Sequence, residues 1–398
     1  MHVCMLVRST VFHEHYGGME IVADDLACSL AEKGVYVTII TTSLKQNQNE
    51  IVTKKRENMR LISLANMPPM KYSSSWWNKS ASFFRELNTI EPVDVVFSVS
   101  AAGYAVSKLT DKPPLVFQAH GTALGEIKTK IRLDWKSKVK SLKNFQGLIK
   151  DIVYLKKFDL IITVGQKVFN DLESQMYFKA IPKLNITNCV DDKLFLRNDT
   201  DRSVIRSKWG IAENSKVFIS SSRLHAEKGI LDSIKIFQHV HLSDENTVFF
   251  VIGDGPQEEL LKTYCKETNL ANSVLFVGKL DREELAMYYS AADYLLFSTL
   301  REEAGLPLTV LEAISSSLIC FVSDKIKFEP GTPLVQIFSK QYEESARIIE
   351  EVVNSAQSTL LLSTGQKFIS NNYSREKWIS DYITVFDNLI DKEKVHAE

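Results

Sequence analysis

At 398 residues, with 44% hydrophobic and 24% charged side chains, the chain has the make-up of an ordinary globular protein. That length is enough for two domains of roughly 100–200 residues each. A formal net charge of −1 gives no global attraction for nucleic acid. The five cysteines, Cys4, Cys28, Cys189, Cys265 and Cys320, form no CxxC pair and fit neither a zinc site nor a disulfide framework, so packing roles in a reducing cytoplasm are expected.

The N-terminal MHVCMLVRST lacks the basic start of a signal peptide and reads as a buried first strand. No run approaches the ~20 apolar residues that span a bilayer. The runs HVCMLV, VYVTII, VDVVFSV, PLVFQAH and DLIITVG are β-branched, short and bounded by polar, Gly or Pro residues, as buried parallel strands are. Between the first two lies a helical pattern, GMEIVADDLACSLAEKG, with Gly34 as its stop signal. Strand–helix–strand units repeated in this way predict a parallel sheet with helices on both faces. After the polar RNDTDRS at 197–203, a second series begins: KVFISSS, TVFFVIGDG, SVLFVGK, DYLLFST and LICFVSD. The expected fold is α/β, two doubly wound, Rossmann-like domains, 1–196 and 197–373. The amphipathic segment 374–398, with Trp378, Tyr382, Val385 and Phe386 on one helical face, is assigned back to the first.

In open parallel sheets ligands bind beyond the carboxyl ends of the strands. The informative residues should therefore follow strands. Gly17 and Gly18 precede the first helix, where the backbone can approach an anion closely. His120 ends the strand PLVFQAH and could donate a hydrogen bond to a substrate oxygen. In SSSRLHAEKGI, Arg223 and Lys228 stand at a strand–helix junction and suit a diphosphate, Arg as a fork and Lys as a point charge. VIGDGPQEEL is a second such turn, in which Gly253 would permit close packing of a ligand. In REEAGLPLTVLEA, Glu302 and Glu303 lie in a loop and Glu312 lies on the helix that follows. One carboxylate can accept two sugar hydroxyls, and the helix N-terminus beside it offers N–H groups to phosphate. The combination suits a ligand that carries both hydroxyls and phosphates.

In order and spacing, these segments resemble the retaining GT-B glycosyltransferases of group 1 / family 4, over nearly the whole chain. The resemblance rests on Gly17–Gly18, His120, SRLHAEKG, IGDGP, FVGKL, EEAGLPLTVLEA and the CVDDKLF element at 189–195. It implies two domains facing across a cleft and transfer of a hexose-type sugar from a UDP- or GDP-linked donor to a saccharide or lipid-linked acceptor. Bacterial surface polysaccharide or lipopolysaccharide synthesis is the implied setting. It further implies that Gly17 and Gly18 approach the donor phosphates, that Arg223 and Lys228 hold the diphosphate, and that Gly305 and Leu306 offer backbone N–H groups. Glu312 would bind ribose hydroxyls and Glu303, with Glu302 as second choice, the transferred sugar. The base would lie near Gly253 and Val277–Gly278–Lys279, and His120 near the anomeric carbon. Catalytic roles thus fall to His120, Arg223, Lys228 and Glu303, with no metal and no cofactor beyond the donor itself. Another activity of the same fold, such as nucleotide-sugar epimerisation, and a catalytically weak nucleotide-sugar-binding subunit are the alternatives.

Three positions depart from the family pattern. Ser222 and Cys189 replace glycines, and seven residues counted back from Glu312 leave Ala304 where a glutamate is usual. The pattern Asp199-Thr200-Asp201 reads as solvated linker rather than a metal motif. Finally, 128–157 holds ten Lys/Arg against Asp134 and Asp151, with apolar residues interleaved. Peripheral contact with the anionic inner face of the cytoplasmic membrane is expected there. Trp76 and Trp77 are read as lining an acceptor site, reaching the interface or packing in the core.

Overall fold

In the computed structural model, residues 1–14, 16–121, 147–303 and 305–397 are described. Contacts divide the chain into two compact units, Met1–Asn188 with Glu376–Glu398, and Cys189–Arg375. The division falls at Asn188/Cys189 because Val190 and Phe195 already belong to the second core, and the Val190 N–H bonds the Tyr373 carbonyl at 3.0 Å.

The first unit is built on an eight-stranded sheet in the order β3-β4-β2-β1-β5-β6-β7-β8. Its strands are β1 (His2–Val7), β2 (Tyr36–Thr41), β3 (Val52–Arg56), β4 (Met59–Ser63), β5 (Val95–Val99), β6 (Leu115–Ala119), β7 (Leu160–Thr163) and β8 (Lys183–Asn185). All pairings are parallel except β3 with β4. The central strands are buried along their length, which is why their sequences run apolar without alternation. Edge strand β3, VTKKR, is mostly exposed, and its lysines discourage further pairing. The C-terminal helix Arg375–Ala397 joins this unit. Its Trp378, Tyr382 and Phe386 are buried, and Tyr382 and Phe386 meet Phe97 of β5 edge-on.

The second unit carries a six-stranded, all-parallel sheet in the order β11-β10-β9-β12-β13-β14. Its strands are β9 (Lys216–Ser221), β10 (Thr247–Ile252), β11 (Val274–Gly278), β12 (Tyr294–Phe297), β13 (Ile319–Ser323) and β14 (Leu334–Ile337). Two apolar clusters, one on each face, sandwich it: one includes Val217, Ile219 and Phe250, the other Phe218, Phe249 and Val251. Alternate residues of one strand thus serve opposite layers.

Asp199-Thr200-Asp201 is not linker. It forms the first turn of the helix Asp199–Lys208, capped by the Asn198 side chain, which accepts from the N–H groups of Thr200 and Asp201. Acidic residues in a first turn oppose the positive end of the helix dipole, so the stretch is a helix start rather than a spacer. Behind it, Arg206 is buried and donates to the carbonyls of Ala291, Ala212, Glu213 and Ser215 and to the Asp293 carboxylate. This guanidinium ties the helix to the amino-terminal edge of the sheet, opposite the edge described next.

Candidate active site

In the second unit the loops after β9, β10, β11 and β12 lie side by side at the carboxyl edge. Backbone bonds lace them together. The Ser222 N–H reaches the Ile252 carbonyl, Leu224 reaches Asp254, and Gly253 reaches Gly278, at 3.1, 2.7 and 2.9 Å. Gly253 has φ +128°, and a Cβ there would stand 2.0 Å from the Ser222 carbonyl oxygen. The need for glycine at this position is set by packing within the unit. Gly253 makes room for the neighbouring loop, because two backbones approach too closely for any side chain. Val277, Gly278 and Lys279 end β11 on the same edge.

The turn after β9 reaches across to β12 in the same way. Gly229 adopts φ +67°, and a Cβ would lie 1.9 Å from the Ser298 carbonyl oxygen. The Leu300 N–H bonds the Glu227 carbonyl at 2.9 Å. This strap brings Lys228 to Glu303 across 75 residues of sequence, with Nζ 3.0 Å from Oε1, and both side chains are largely shielded at 17% and 16% exposure. Glu303 is also 4.0 Å from Arg301, Arg301 is 3.8 Å from Glu227, and Glu227 is 3.9 Å from Arg223. The result is a chain of alternating charge, Arg223–Glu227–Arg301–Glu303–Lys228, with cations at both ends and an excess of positive charge.

The five charges are unequal. Arg223 is 60% exposed and, among the described residues, meets only Glu227 at long range, so it is not brought to the Lys228–Glu303 pair. Glu302 points to a more exposed setting than Glu303. Gly305 and Leu306 lead into the helix Leu308–Ser315, whose N-cap is Pro307. Glu312 is buried on that helix. Beside it Tyr289 donates to the Thr309 carbonyl at 3.2 Å, and burial, reinforced by the Glu312 charge, pushes its phenol well above the ordinary range. The Thr309 hydroxyl bonds the Ser221 carbonyl at 3.2 Å and so ties this helix to the end of β9. Sequence reasoning missed Arg301, Glu227, Thr309 and Tyr289. The REE and EKG strings signalled the first two, but their pairing depends on loops distant in sequence.

In the first unit, Gly17 caps the helix Gly18–Glu32, and its N–H donates to Glu20 Oε2 at 2.9 Å. Glu20 is buried and also accepts from the Ser9 hydroxyl. Unlike Gly229 and Gly253, Gly17 shows no packing need for glycine among the described residues, where a Cβ would meet only Glu20 Oε2 at an ordinary 3.7 Å. His120 follows β6 on the carboxyl edge of this sheet, where burial lowers its pKa to about 4. His13, which no sequence pattern singles out, bonds Thr10 and Thr42 and is likewise held neutral by burial.

Trp76 is core, its indole N–H donating to the Ala102 carbonyl at 3.1 Å, whereas Trp77 lines a cavity of about 470 Å³ with Arg85, Tyr104, Lys108, Lys150 and Tyr154. Lys150 lies 4.4 Å over the Trp77 ring. Within the basic stretch, 128–146 lies outside the described residues, as does Ala304.

The chain matches the family model "Glycosyl transferases group 1" over residues 201–332 and "Glycosyltransferase Family 4" over residues 16–193. It is 25% identical over 304 residues to an alpha-monoglucosyldiacylglycerol synthase of Acholeplasma laidlawii, covering 74% of each chain. In fold it is similar to a sucrose-phosphate synthase of Thermosynechococcus elongatus, with TM-score 0.78, 17% identity, and 98% and 99% of the two chains covered. It is similar too to an Anabaena protein solved with UDP and glucose, with TM-score 0.71, 17% identity, and 97% and 99% covered. The protein belongs to the group 1, family 4 glycosyltransferases and has their GT-B fold. It is a transferase enzyme.

Proposed function

We propose that the protein transfers a hexose-type sugar, with retention of anomeric configuration, from a UDP- or GDP-linked donor to a saccharide or lipid-linked acceptor. The observation that carries this reading is the cation-rich charge chain at the carboxyl edge of the second sheet, with Lys228 held against Glu303. As the bond from the anomeric carbon to the diphosphate oxygen breaks, negative charge grows on the leaving group. A fixed, partly shielded ammonium at that point stabilises it without reorganisation. The acceptor oxygen forms its bond on the same face of the sugar, and its proton passes to the departing phosphate oxygen. Glu303 accepts from sugar hydroxyls, Glu312 from ribose hydroxyls, and Gly305 and Leu306 donate backbone N–H groups. Val277, Gly278 and Lys279 flank the base, and Arg223, free to swing from its exposed position, closes on the diphosphate. Gly17 and Gly18 allow close approach of phosphate, and His120 contacts the sugar. The relatedness to a lipid glucosyltransferase and the Anabaena neighbour solved with UDP and glucose support a nucleotide-sugar donor and a lipid-linked or surface-saccharide acceptor.

The cations Lys228 and Arg223 do the work that a divalent metal would otherwise do, so turnover is expected to persist in EDTA. The exposed apolar Ile149 and Val153 beside Lys150, Lys156 and Lys157 support peripheral contact with anionic lipid at the cytoplasmic face of the membrane. None of the described helices is long and apolar enough to cross a membrane. The test is a panel of UDP-, GDP- and ADP-sugars with nucleotide release as the readout and NMR of the product anomer. Neither binding nor hydrolysis of any donor, or an inverted product, refutes the reading.

A further inference from the structure

His120 and Gln118 are two residues apart at the end of β6, and residues so spaced in a strand project to the same face. There the His120 Nε2 lies 2.9 Å from the Gln118 Oε1. On its other end, the Gln118 amide donates to the Tyr382 hydroxyl at 2.9 Å. Gln118 and Tyr382 are fully buried. Tyr382 comes from the C-terminal helix, and its ring is wedged edge-on between Phe97 and Trp378 and tilted against Phe386. The packing therefore fixes the hydroxyl, and the Gln118 amide stands with its nitrogen toward that hydroxyl and its oxygen toward His120.

That orientation determines the imidazole. An amide oxygen only accepts, so the hydrogen bond from His120 requires the proton on Nε2. A neutral imidazole has one proton, and the burial that lowers the His120 pKa to about 4 keeps it neutral at ordinary pH. The other nitrogen, Nδ1, is left with a lone pair, and among the described residues it has no hydrogen-bond partner. We propose that Gln118 and Tyr382 are positioning residues that hold His120 as the Nε2–H tautomer and present Nδ1 as an acceptor for a hydroxyl of the sugar substrate. The expectation that His120 donates to the substrate is thereby reversed: its one N–H is already committed to Gln118. The C-terminal helix thus does more than cover the first sheet, since one of its side chains sets the protonation geometry at the sheet's carboxyl edge. The second half of the proposal rests on the placement of His120 at the sugar, while the tautomer does not.

The experiment uses the full chain labelled with ¹⁵N-histidine, with long-range ¹H–¹⁵N correlation at neutral pH and the H120N variant to assign the ring. The wild-type ring is expected to show the proton on Nε2. Q118L, which removes the acceptor, and Y382F, which keeps the ring packing and removes the hydroxyl, should each shift the ring toward the Nδ1–H form. Y382F should hold its thermal midpoint near wild type while kcat falls roughly tenfold, about one hydrogen bond's worth, with KM little changed. Q118E should strengthen the bond to Nε2–H and raise the His120 pKa, read by titrating the ring signals. A wild-type ring protonated on Nδ1, or tautomer populations unmoved in both Q118L and Y382F, overturns the positioning role. Donors with single hydroxyls replaced by fluorine, which cannot donate, report on the other half. One position should lose turnover in the wild type and not in H120A. Full turnover by H120A overturns the placement of His120 at the sugar, even where the tautomer is as stated.

Discussion

Gly229→Ala is the sharpest test of the strap that sets the charge chain. The substitution has two separable effects. Gly229 sits in the left-handed region at φ +67°, where an L side chain costs about 1 kcal/mol by itself. In addition, the new Cβ would lie 1.9 Å from the Ser298 carbonyl oxygen, where real Cβ contacts essentially never fall under 3.0 Å. The two backbones must part by about 1 Å. Neither can yield alone, because Leu300 and Glu227 are joined by the 2.9 Å backbone bond. Lys228 is the adjoining residue, so the displacement falls on its 3.0 Å contact with Glu303. Misplacing a catalytic group by about 1 Å lowers rates by roughly 10². Gly210 supplies the control: it has φ +64° in the same unit, and a Cβ there would meet nothing within 4 Å. Gly210→Ala should lose about 1 kcal/mol in denaturant unfolding and keep its activity. Gly229→Ala should lose some 2 kcal/mol more and about a hundredfold in kcat/KM for nucleotide release from the donor. Equal stability losses in the two variants, with Gly229→Ala still fully active, would refute the argument.

Lys228→Ala is expected to lower turnover at least ~10²-fold while changing stability by about 1 kcal/mol or less, measured by parallel initial-rate and thermal assays. Glu303→Gln should reduce kcat/KM well beyond Glu302→Gln, because only Glu303 is the partner of Lys228; the reverse ranking would transfer the sugar-binding role to Glu302. Arg206→Met should cost on the order of 1–3 kcal/mol, since the carbonyls of Ala212, Glu213 and Ser215 lose this donor while Asp293 keeps Arg202 and the Val217 N–H, yet leave KM for donor unchanged in the fraction that folds. His120, with its folded pKa depressed from 6.5 to about 4, binds its proton more weakly folded than unfolded. Stability should therefore fall as pH drops below about 6.5 and level off below about 4, by on the order of 3 kcal/mol in total from this residue. His120→Asn should flatten that part of the acid limb.

The parts of the fold legible in the sequence are those where burial alone dictates residue type. The strands β1, β5, β6 and β10 lie inside two-sided sheets, and their unbroken apolar runs betray them. Edge strands β3 and β8 are mostly exposed, and their sequences resemble polar connections. Asp199-Thr200-Asp201 matches a metal motif and a polar linker as well as an acidic first helix turn, and local pattern alone does not choose among the three. Strand ends drew attention to Lys228, Glu303 and His120, because parallel sheets present ligands there. What joins them was not legible. The Gly229–Ser298 approach, the Lys228–Glu303 pair and the Gln118–Tyr382 bond link segments 69, 75 and 264 residues apart, and no local pattern encodes such meetings.

The awkward spacing of REEAGLPLTVLEA is a problem only if residue count is the constraint. Physically, two anchors matter. Leu300 is tethered to Glu227, and the following helix starts at Leu308, with Glu312 just over one turn inside it. Between those anchors the loop needs only to aim one carboxylate at Lys228, and Glu303 does so. The pairing does not disable the lysine. An ammonium has three donors, and Glu303 takes one. A phosphate oxygen can take another while the carboxylate stays bound, so the ion pair aims the ammonium and keeps it charged instead of competing with the substrate. The same carboxylate has further lone pairs for sugar hydroxyls. A single contact thus couples the group that would stabilise the leaving diphosphate to the group that would hold the sugar. For that reason a Glu303 substitution should weaken sugar discrimination and leaving-group stabilisation together, measured as a loss in kcat that is larger for the true donor than for poor ones.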